Sequence, residues 1–586
     1  GTGVASVTKA SSAEASGPTP STVQAKHGAV AGVAALTEVL QDKITAENQT
    51  AIRNLVPAIE KARAYRGRGG EVVRQAACRL LASVAGAPSW PFKDATAVRY
   101  LQTVDECARH TTDSIQVAAA DALHVLSRSR FKAELCLKCV DNYLRGLKKA
   151  DETIAARRGY CLCLGSLPVT ALGERRAEVI SALSQEVHGL ELPGGKDQDD
   201  PATRQHAVLA LGRLCLSTSL TSEELGTFVG ALEAASNDYA MDRRGDVGSW
   251  VREVATEVIA ALLDVQRQEP SDSRPQLADT ASSTKLLALM LKQAVEKIDR
   301  LRERSFGLLR QLLCSLPSDG AGMQLAYRRV CHSEAYDALG LADDSSVESL
   351  RPEKRLAWPP AEAEALAVAL RRPMRSKEAE PAEKSVMTAT TKAELQQADR
   401  NEAVFNALVP FLSYEDYRSA LAMGLVVSVG GLTEHTAKDG KKAMLQHINS
   451  REGAAREVCL DILKTFDAAG WRDAEPEARR LLAPILNTVG ILFAQDLVPE
   501  DLAQPFFEKA QRSVRTSKEI SRTRASIAVF VGLLKWPGVY RRKSLSMLLQ
   551  YLGASFPTVR QATAQALYIR LLEEEGDFDL SGPEAE

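Results

Sequence analysis

An all-α array of stacked helix pairs is the fold class this sequence predicts, and three observations lead there. Apolar stretches opened by arginine or glutamine recur along the chain, with their apolar residues at helical rather than strand spacing. Strand signals are nearly absent. Apolar residues make up 45% of the chain but aromatics only 5%, so the core is built from Leu, Ala and Val, as in closely stacked helices.

In the first half the segments are VRQAACRLLASV from Val73, IQVAAADALHVLSR from Ile115, IAARRGYCLCLGSL from Ile154, ATRQHAVLALGRLC from Ala202, WVREVATEVIAALL from Trp250 and DRLRERSFGLLRQLL from Asp299. Their equivalent positions Arg74, Gln116, Arg157, Arg204, Arg252 and Arg302 lie 41 to 50 residues apart. That is the period of a two-helix HEAT or armadillo unit, and such units bury their faces only by stacking into an α-solenoid. A second series starts at Asp416, Ala455, Glu477, Arg522 and Pro557, with steps of 38 residues from Arg418 to Arg456 and from Arg522 to Arg560. In the last segment Val559, Ala562, Ala566, Leu567 and Ile569 to Leu571 are expected on one broad buried face. The early arginine of each segment is expected to reach a neighbouring carboxylate or carbonyl.

Composition shifts divide the chain. Residues 1–27 read as a Ser, Thr, Ala and Pro-rich lead-in or linker, 28–338 as the first series of HEAT-like repeats, 339–398 as a Pro and charge-rich interruption, 399–573 as the second series and 574–586 as an acidic tail. The interruption reads either as a solvated loop or as a peptide-like arm that orders on a partner. A solenoid accounts for 586 residues, because it grows by adding repeats without enlarging a single core. The first residue is glycine, and the chain reads as a fragment of something longer.

Lys and Arg (73) nearly balance Asp and Glu (75), so no dominant basic field for nucleic acid or anionic membrane is evident. No membrane span is expected; the best apolar run, 419–433, is too short. A transit peptide is argued against by the lack of arginine before Arg53. Ten dispersed cysteines, most among apolar neighbours, read as reduced core thiols of a cytosolic protein.

Chemical motifs are sparse. Cys136 and Cys139 form a CxxC without the second pair a zinc site needs. Cys331 and His332 are adjacent, which on a helix points them apart. The KDGKK run from Lys438 lacks the earlier glycine and the Ser or Thr of a phosphate loop. RGRGGE from Arg66 reads as a basic turn or a contact to an acidic partner, and 189–201 as an acidic loop. No catalytic residue, cofactor or metal is expected.

One segment stands apart: DYAMDRRGDVGSWVRE, Asp238 to Glu253, where the repeat pattern stops and restarts. Its donors and acceptors Asp242, Arg243, Arg244 and Asp246 precede Ser249, a helix-capping residue type, then Trp250 and Arg252. These six residues are the candidate partner-binding set, since a polar turn beside an indole suits an interface. The alternative is internal: Trp250 packs between repeats, Arg252 joins a ladder, and the Arg and Asp residues brace the turn.

The same block resembles a characteristic motif of the tubulin-folding cofactor D family. AARRGYCLCLGSLP from Ala155 resembles that family's RRG-containing helix, and VEKIDRLRERSFGLLRQLL from Val295 its next downstream helix. The resemblance runs from about Ala35 to Tyr336 and, with weaker motifs, to Leu572. It implies the C-terminal portion of a non-enzymatic, cytoplasmic chaperone, associated with microtubules or centrosomes, whose N-terminal repeats are missing here. The implied partners are beta-tubulin and the alpha/beta-tubulin heterodimer, tubulin cofactors C and E and an Arf-like small GTPase. The implied activity is assembly and disassembly of the heterodimer. A HEAT-repeat scaffold or transport adaptor unrelated to tubulin is the alternative that the repeats alone leave open.

Overall fold

The computed structural model describes residues 20–66, 69–189, 199–218, 220–267, 280–314, 401–431, 434–470, 480–515, 517 and 519–573. Among these the chain is helical throughout, apart from one two-stranded hairpin. The interruption at 339–398, the tail at 574–586, most of the 189–201 loop, Gly67-Arg68 and the Cys331-His332 pair lie outside the described residues.

Two compact units are present, the first built on Gly1–Ala235 and the second on Ser236–Leu263, Asp279–Arg351 and Ser385–Glu586. In the first, α1 is Pro20–Leu40, α2 Ala46–Arg53, α3 Leu55–Lys61, α4 Glu71–Ala85, α5 Asp94–Ala108, α6 Asp113–Ser129, α7 Ala133–Leu147, α8 Ile154–Ser166, α9 Arg176–His188, α10 Pro201–Cys215 and α11 Ser222–Ser236. Helices α1, α4, α6, α8 and α10 pack one on the next, while α5, α7 and α9 pack on α6, α8 and α10 respectively. This is the stacked helix-pair arrangement that the period predicts. Helix α1 begins inside the segment expected as a lead-in. Val23, Val30, Ala34 and Thr37 recur at helical spacing and are all buried, which gives an Ala and Val-rich stretch a reason to be ordered.

The second unit contains α12 Gly248–Arg267, α13 Thr280–Ala294, α14 Asp299–Cys314, α15 Asn401–Leu408, α16 Glu415–Val429, α17 Glu434–Ser450, α18 Ala454–Gly470, α19 Leu482–Ala494, α20 Ala503–Arg515, α21 Ile520–Gly532, α22 Val539–Leu552 and α23 Pro557–Glu573. Here α13, α16, α19, α21 and α23 form the continuous inner row. The KDGKK run lies within α17 as ordinary helix. On α23 the expected broad face is only partly buried: Val559 and Thr563 point inward, whereas Ile569 and Leu571 are exposed.

The recurrent early arginine has a defined role. Arg157 Nη1 donates to the Leu147 carbonyl at 2.7 Å, Arg302 Nη1 to Glu296 at 2.6 Å, Arg522 Nη1 to Ser513 at 3.4 Å and Arg560 Nη1 to Ala554 at 2.7 Å. In each case the arginine satisfies a carbonyl at or just beyond the end of the preceding helix, a group with no partner inside that helix. At the equivalent glutamine, Gln116 Nε2 donates to His110 and to Ala155 carbonyls, both at 2.6 Å. Arg157 is fully buried and its charge is met by Glu186, whose carboxyl burial pushes up to about 7 despite that arginine. Beside it Arg158 bridges Asp113 at 2.5 Å and Asp200 at 3.0 Å, tying three successive repeats together.

The glycine of the RRG motif is explained by packing. A Cβ on Gly159 would overlap the Ala108 carbonyl at the end of α5, so α8 approaches that helix at a distance that only glycine permits. Cys136 and Cys139 are both buried, and burial raises both thiols. Burial also pushes Cys459 up to about 12.

Gly159→Ala is therefore expected to destabilise the chain by about 1–3 kcal/mol, as overpacking does, measured by urea denaturation. A second expectation concerns His206, buried on α10 with Asp113, Arg158 and Asp200 around it. Burial lowers its folded pKa to about 4, below the ordinary 6.5. Its neutral form is thus favoured in the fold, and its contribution is complete above about pH 6.5 and lost as pH falls toward 4. The His206→Met variant should show a flatter denaturation midpoint over that window than the parent chain.

Candidate functional site

The unusual segment folds into the hairpin. Strands β1 (Met241–Asp242) and β2 (Gly245–Asp246) pair antiparallel, with Met241 opposite Asp246 and Asp242 opposite Gly245. The turn between them is Arg243-Arg244. Gly245 closes it at φ 106°, a conformation that costs a side-chain-bearing residue strain. Asp242 shapes the turn from within: its carboxylate accepts from the Arg244 amide at 2.7 Å and from Arg244 Nε at 2.8 Å. Those hydrogen bonds hold the Asp242 carboxyl below the usual carboxylate range. The Arg244 guanidinium also lies over the Trp250 ring, 4.8 Å from its centroid, a cation–π contact that fixes the arginine against the start of α12.

Below the turn, the hairpin is bolted to the rest of the second unit by buried charge. Arg252 on α12 is fully buried and donates to both Asp246 carboxylate oxygens, at 3.1 and 3.2 Å, and to the Asp238 carbonyl. Its guanidinium lies 4.3 Å from the centroid of the Tyr239 ring. Tyr239 donates its hydroxyl to Glu296 at 3.1 Å, and Glu296 Oε2 is 3.8 Å from Arg252 Nε. Lys297 Nζ reaches Asp246 at 3.4 Å. Burial works to raise the Asp246 carboxyl, but Arg252 and Lys297 outweigh it and hold the group low. Burial alone would lower Arg252, and the facing Glu296 and Asp246 carboxylates instead raise it. From farther along the chain, Arg480 Nη1 donates to the Met241 carbonyl at 3.3 Å and the Tyr239 carbonyl at 3.5 Å.

The six candidate residues separate into two groups. Asp242, Arg243 and Arg244 are exposed at the turn, with Trp250 half-buried beside them. Asp246 and Arg252 face inward as the brace. Ser249 is not the capping residue: it lies inside the first turn of α12, and its amide donates at 3.1 Å to Asp246, which does the capping. Sequence reasoning missed exposed Met241, which flanks the turn, and the brace partners Glu296, Lys297 and Arg480. Glu296 and Lys297 carried a signal, since they stand within one of the quoted helical motifs. Arg480 carried one too, since it stands at the start of the repeat segment from Glu477, whose early arginine is expected to reach a neighbouring carboxylate or carbonyl. Among the described residues no cluster of three or more His, Cys, Asp or Glu side chains could hold a metal. No helix of the described residues is long and apolar enough to cross a membrane.

Comparison with known proteins bears on this arrangement. The family model described as tubulin folding cofactor D C terminal matches residues 284–524. The chain resembles the C-terminal portion of tubulin folding cofactor D. A Dictyostelium discoideum protein, tubulin-specific chaperone D, is 24% identical over an alignment 246 residues long that covers 36% of this chain and 16% of that protein. The chain thus aligns with less than a fifth of that relative's length. The residues matched by the cofactor D model include Glu296, Lys297 and Arg480, which hold the hairpin, while the hairpin itself precedes them. Among solved structures, importin beta is similar at TM-score 0.37 and 13% identity, covering 98% of this chain and 69% of that one. Kap121p is similar at TM-score 0.33 and 13% identity, covering 97% and 63%.

Asp246→Asn keeps the cap on Ser249 but removes a charge from the brace, and should cost about 1–3 kcal/mol at neutral pH in chemical denaturation. Because the folded carboxyl titrates below its unfolded value, its contribution is present above about pH 4 and disappears as pH falls through the folded value. The variant should accordingly lose less stability than the parent on acidification below pH 4.

Proposed function

We propose that this chain works as part of a tubulin-folding chaperone and that the tip of the hairpin is one of its partner contacts. The observation that carries the first half is the match of residues 284–524 to the cofactor D C-terminal model, supported by the relative from Dictyostelium discoideum. The second half rests on geometry. Met241, Arg243, Arg244 and Trp250 form a small apolar and cationic surface, and the buried charges beneath it fix its position before any partner arrives. Preorganisation of this kind lowers the ordering cost of binding.

In this reading the partners are beta-tubulin within the alpha/beta-tubulin heterodimer, with cofactors C and E and an Arf-like small GTPase acting in the same assembly. The work is mechanical. Stacked repeats supply many modest contacts to a folded partner, and distributed contacts of that sort strain a dimer interface without chemistry by the chaperone itself. Any nucleotide hydrolysis falls to tubulin or to the small GTPase. The setting is cytoplasmic.

The decisive measurement is co-purification of the chain with soluble tubulin, alone and with cofactor E and the small GTPase added. Retention of tubulin in at least one of these mixtures is expected; no association from a folded, helical chain would overturn the assignment. Within that assay, Arg243→Ala combined with Arg244→Ala should weaken association about tenfold. The same change should move the melting temperature by no more than about 2 °C, as an exposed substitution does. Equal losses of binding and stability would instead make the tip part of the brace.

A further inference from the structure

Arg74, the early arginine of α4, departs from the rule its counterparts follow. The preceding helix α3 closes its own end: Arg63 takes the left-handed conformation at φ 48°, and the Ala64 amide turns back to the Ile59 carbonyl at 3.0 Å. That end needs no cation. Arg74 Nη1 donates instead to the Cys107 sulfur at 4.0 Å. The guanidinium lies 3.9 Å from the centroid of the Tyr65 ring, and the Glu106 carboxylate stands 3.7 Å from it.

The sulfur that receives this cation is unlike the rest. All eight described cysteines are buried, and burial raises the thiols of Cys136, Cys139, Cys161, Cys163, Cys215 and Cys459. Cys78 on α4 is raised by its hydrogen bond to Cys107 and by burial. Cys107, near the end of α5, is lowered: it accepts from Cys78 and faces Arg74, and these outweigh its burial and the opposing Glu60 carboxylate on α3. A thiol beside an arginine gives up its proton readily, and a second thiol in contact with it is placed to react next.

We propose that Cys107 and Cys78 form a peroxide-sensitive modification site, in which Cys107 is oxidised first and Cys78 then closes a disulfide that pins α4 to α5. In the first step the Cys107 thiolate attacks one oxygen of hydrogen peroxide. The O–O bond breaks, and the departing hydroxide takes up the proton the thiol released, leaving a sulfenic acid and water. In the second step the Cys78 sulfur attacks the Cys107 sulfur, the S–O bond breaks, and hydroxide leaves with the Cys78 proton as a second water. Two thiols and one peroxide become a disulfide and two waters, the sulfurs giving two electrons to the peroxide. Between Cys107 and solvent stand Tyr65, half-buried, and Arg74, whose side chain is 20% exposed. Rotamer changes of these two side chains admit a molecule as small as peroxide. The site lies wholly in the first unit and is independent of the hairpin and of the tubulin reading.

The test treats the full chain with hydrogen peroxide at neutral pH, blocks the remaining thiols with N-ethylmaleimide in denaturant and reads tryptic peptides by mass spectrometry. Trypsin isolates Cys78 in residues 75–79 and Cys107 in residues 100–109, each without another cysteine. A link between these two peptides, reversed by reductant, should form about tenfold faster than any other cysteine is oxidised. Cys78→Ser should stop at a sulfenic acid on Cys107 that dimedone captures. Arg74→Met should slow the reaction about tenfold at pH 7 and move its pH midpoint upward, and Arg74→Lys, which keeps the charge, should restore part of both. Circular dichroism and the urea midpoint identify the variants that remain folded. A first link through a different cysteine, such as Cys163, would overturn the proposal. So would an Arg74→Met chain that reacts as fast as the parent. A rate that rises in step with the unfolded fraction in urea would assign the reactivity to the unfolded chain, again against the proposal.

Discussion

The stacking of several repeats in this fold depends on a buried cation placed where a helix has run out of donors. The last carbonyls of a helix have no amide to accept from, and burying them between repeats without a partner costs about 1–3 kcal/mol apiece. Arg157, Arg252 and Arg302 are fully buried because they answer that need; each begins one helix and donates to the main chain that ends or follows the one before. A guanidinium suits the task, since its fork of donors serves a carbonyl and a carboxylate together. The carboxylates then follow from the cations: Glu186 for Arg157, Asp246 and Glu296 for Arg252, and Asp299 for Arg302.

The hairpin is a variation on this device. Arg252, like Arg302 and Arg560, meets a carbonyl two residues beyond the preceding helix, but it reaches that carbonyl, at Asp238, across the inserted strands. The insertion lengthens the link between two helices without leaving its carbonyls unpaired. Its buried end therefore obeys the rule of the repeats, and its exposed turn is free to differ. This explains why one short block holds both fully buried and exposed charged residues.

Legibility in the sequence followed the same division. The all-α class, the period and the arginine positions were readable because helix spacing and a repeated cation are local patterns. The inward or outward direction of each charge was not, since Asp246 and Asp242 look alike in sequence and differ only in what stands opposite them. Ser249 looked like a cap by residue type, yet the capping oxygen comes from Asp246, three positions earlier. For α1, composition suggested a lead-in, and the decisive Val23, Val30 and Ala34 spacing was hidden by surrounding small residues. On α23 the apolar residues suggested one buried face, but the neighbouring helices cover only the side that carries Val559 and Thr563.

The reach of Arg480 to the main chain at Tyr239 and Met241 has a bearing on how the protein is made. Ser428 likewise donates to the Val295 carbonyl from far along the chain. A ribosome adding roughly 5–20 residues per second needs on the order of ten seconds or more to travel from the hairpin to the last of these donors. Throughout that interval the hairpin's carbonyls and the inner face of α13 await groups not yet synthesised. Locking of the hairpin and of the link after α13 accordingly waits for helices made much later in the chain, rather than proceeding repeat by repeat from the N-terminus.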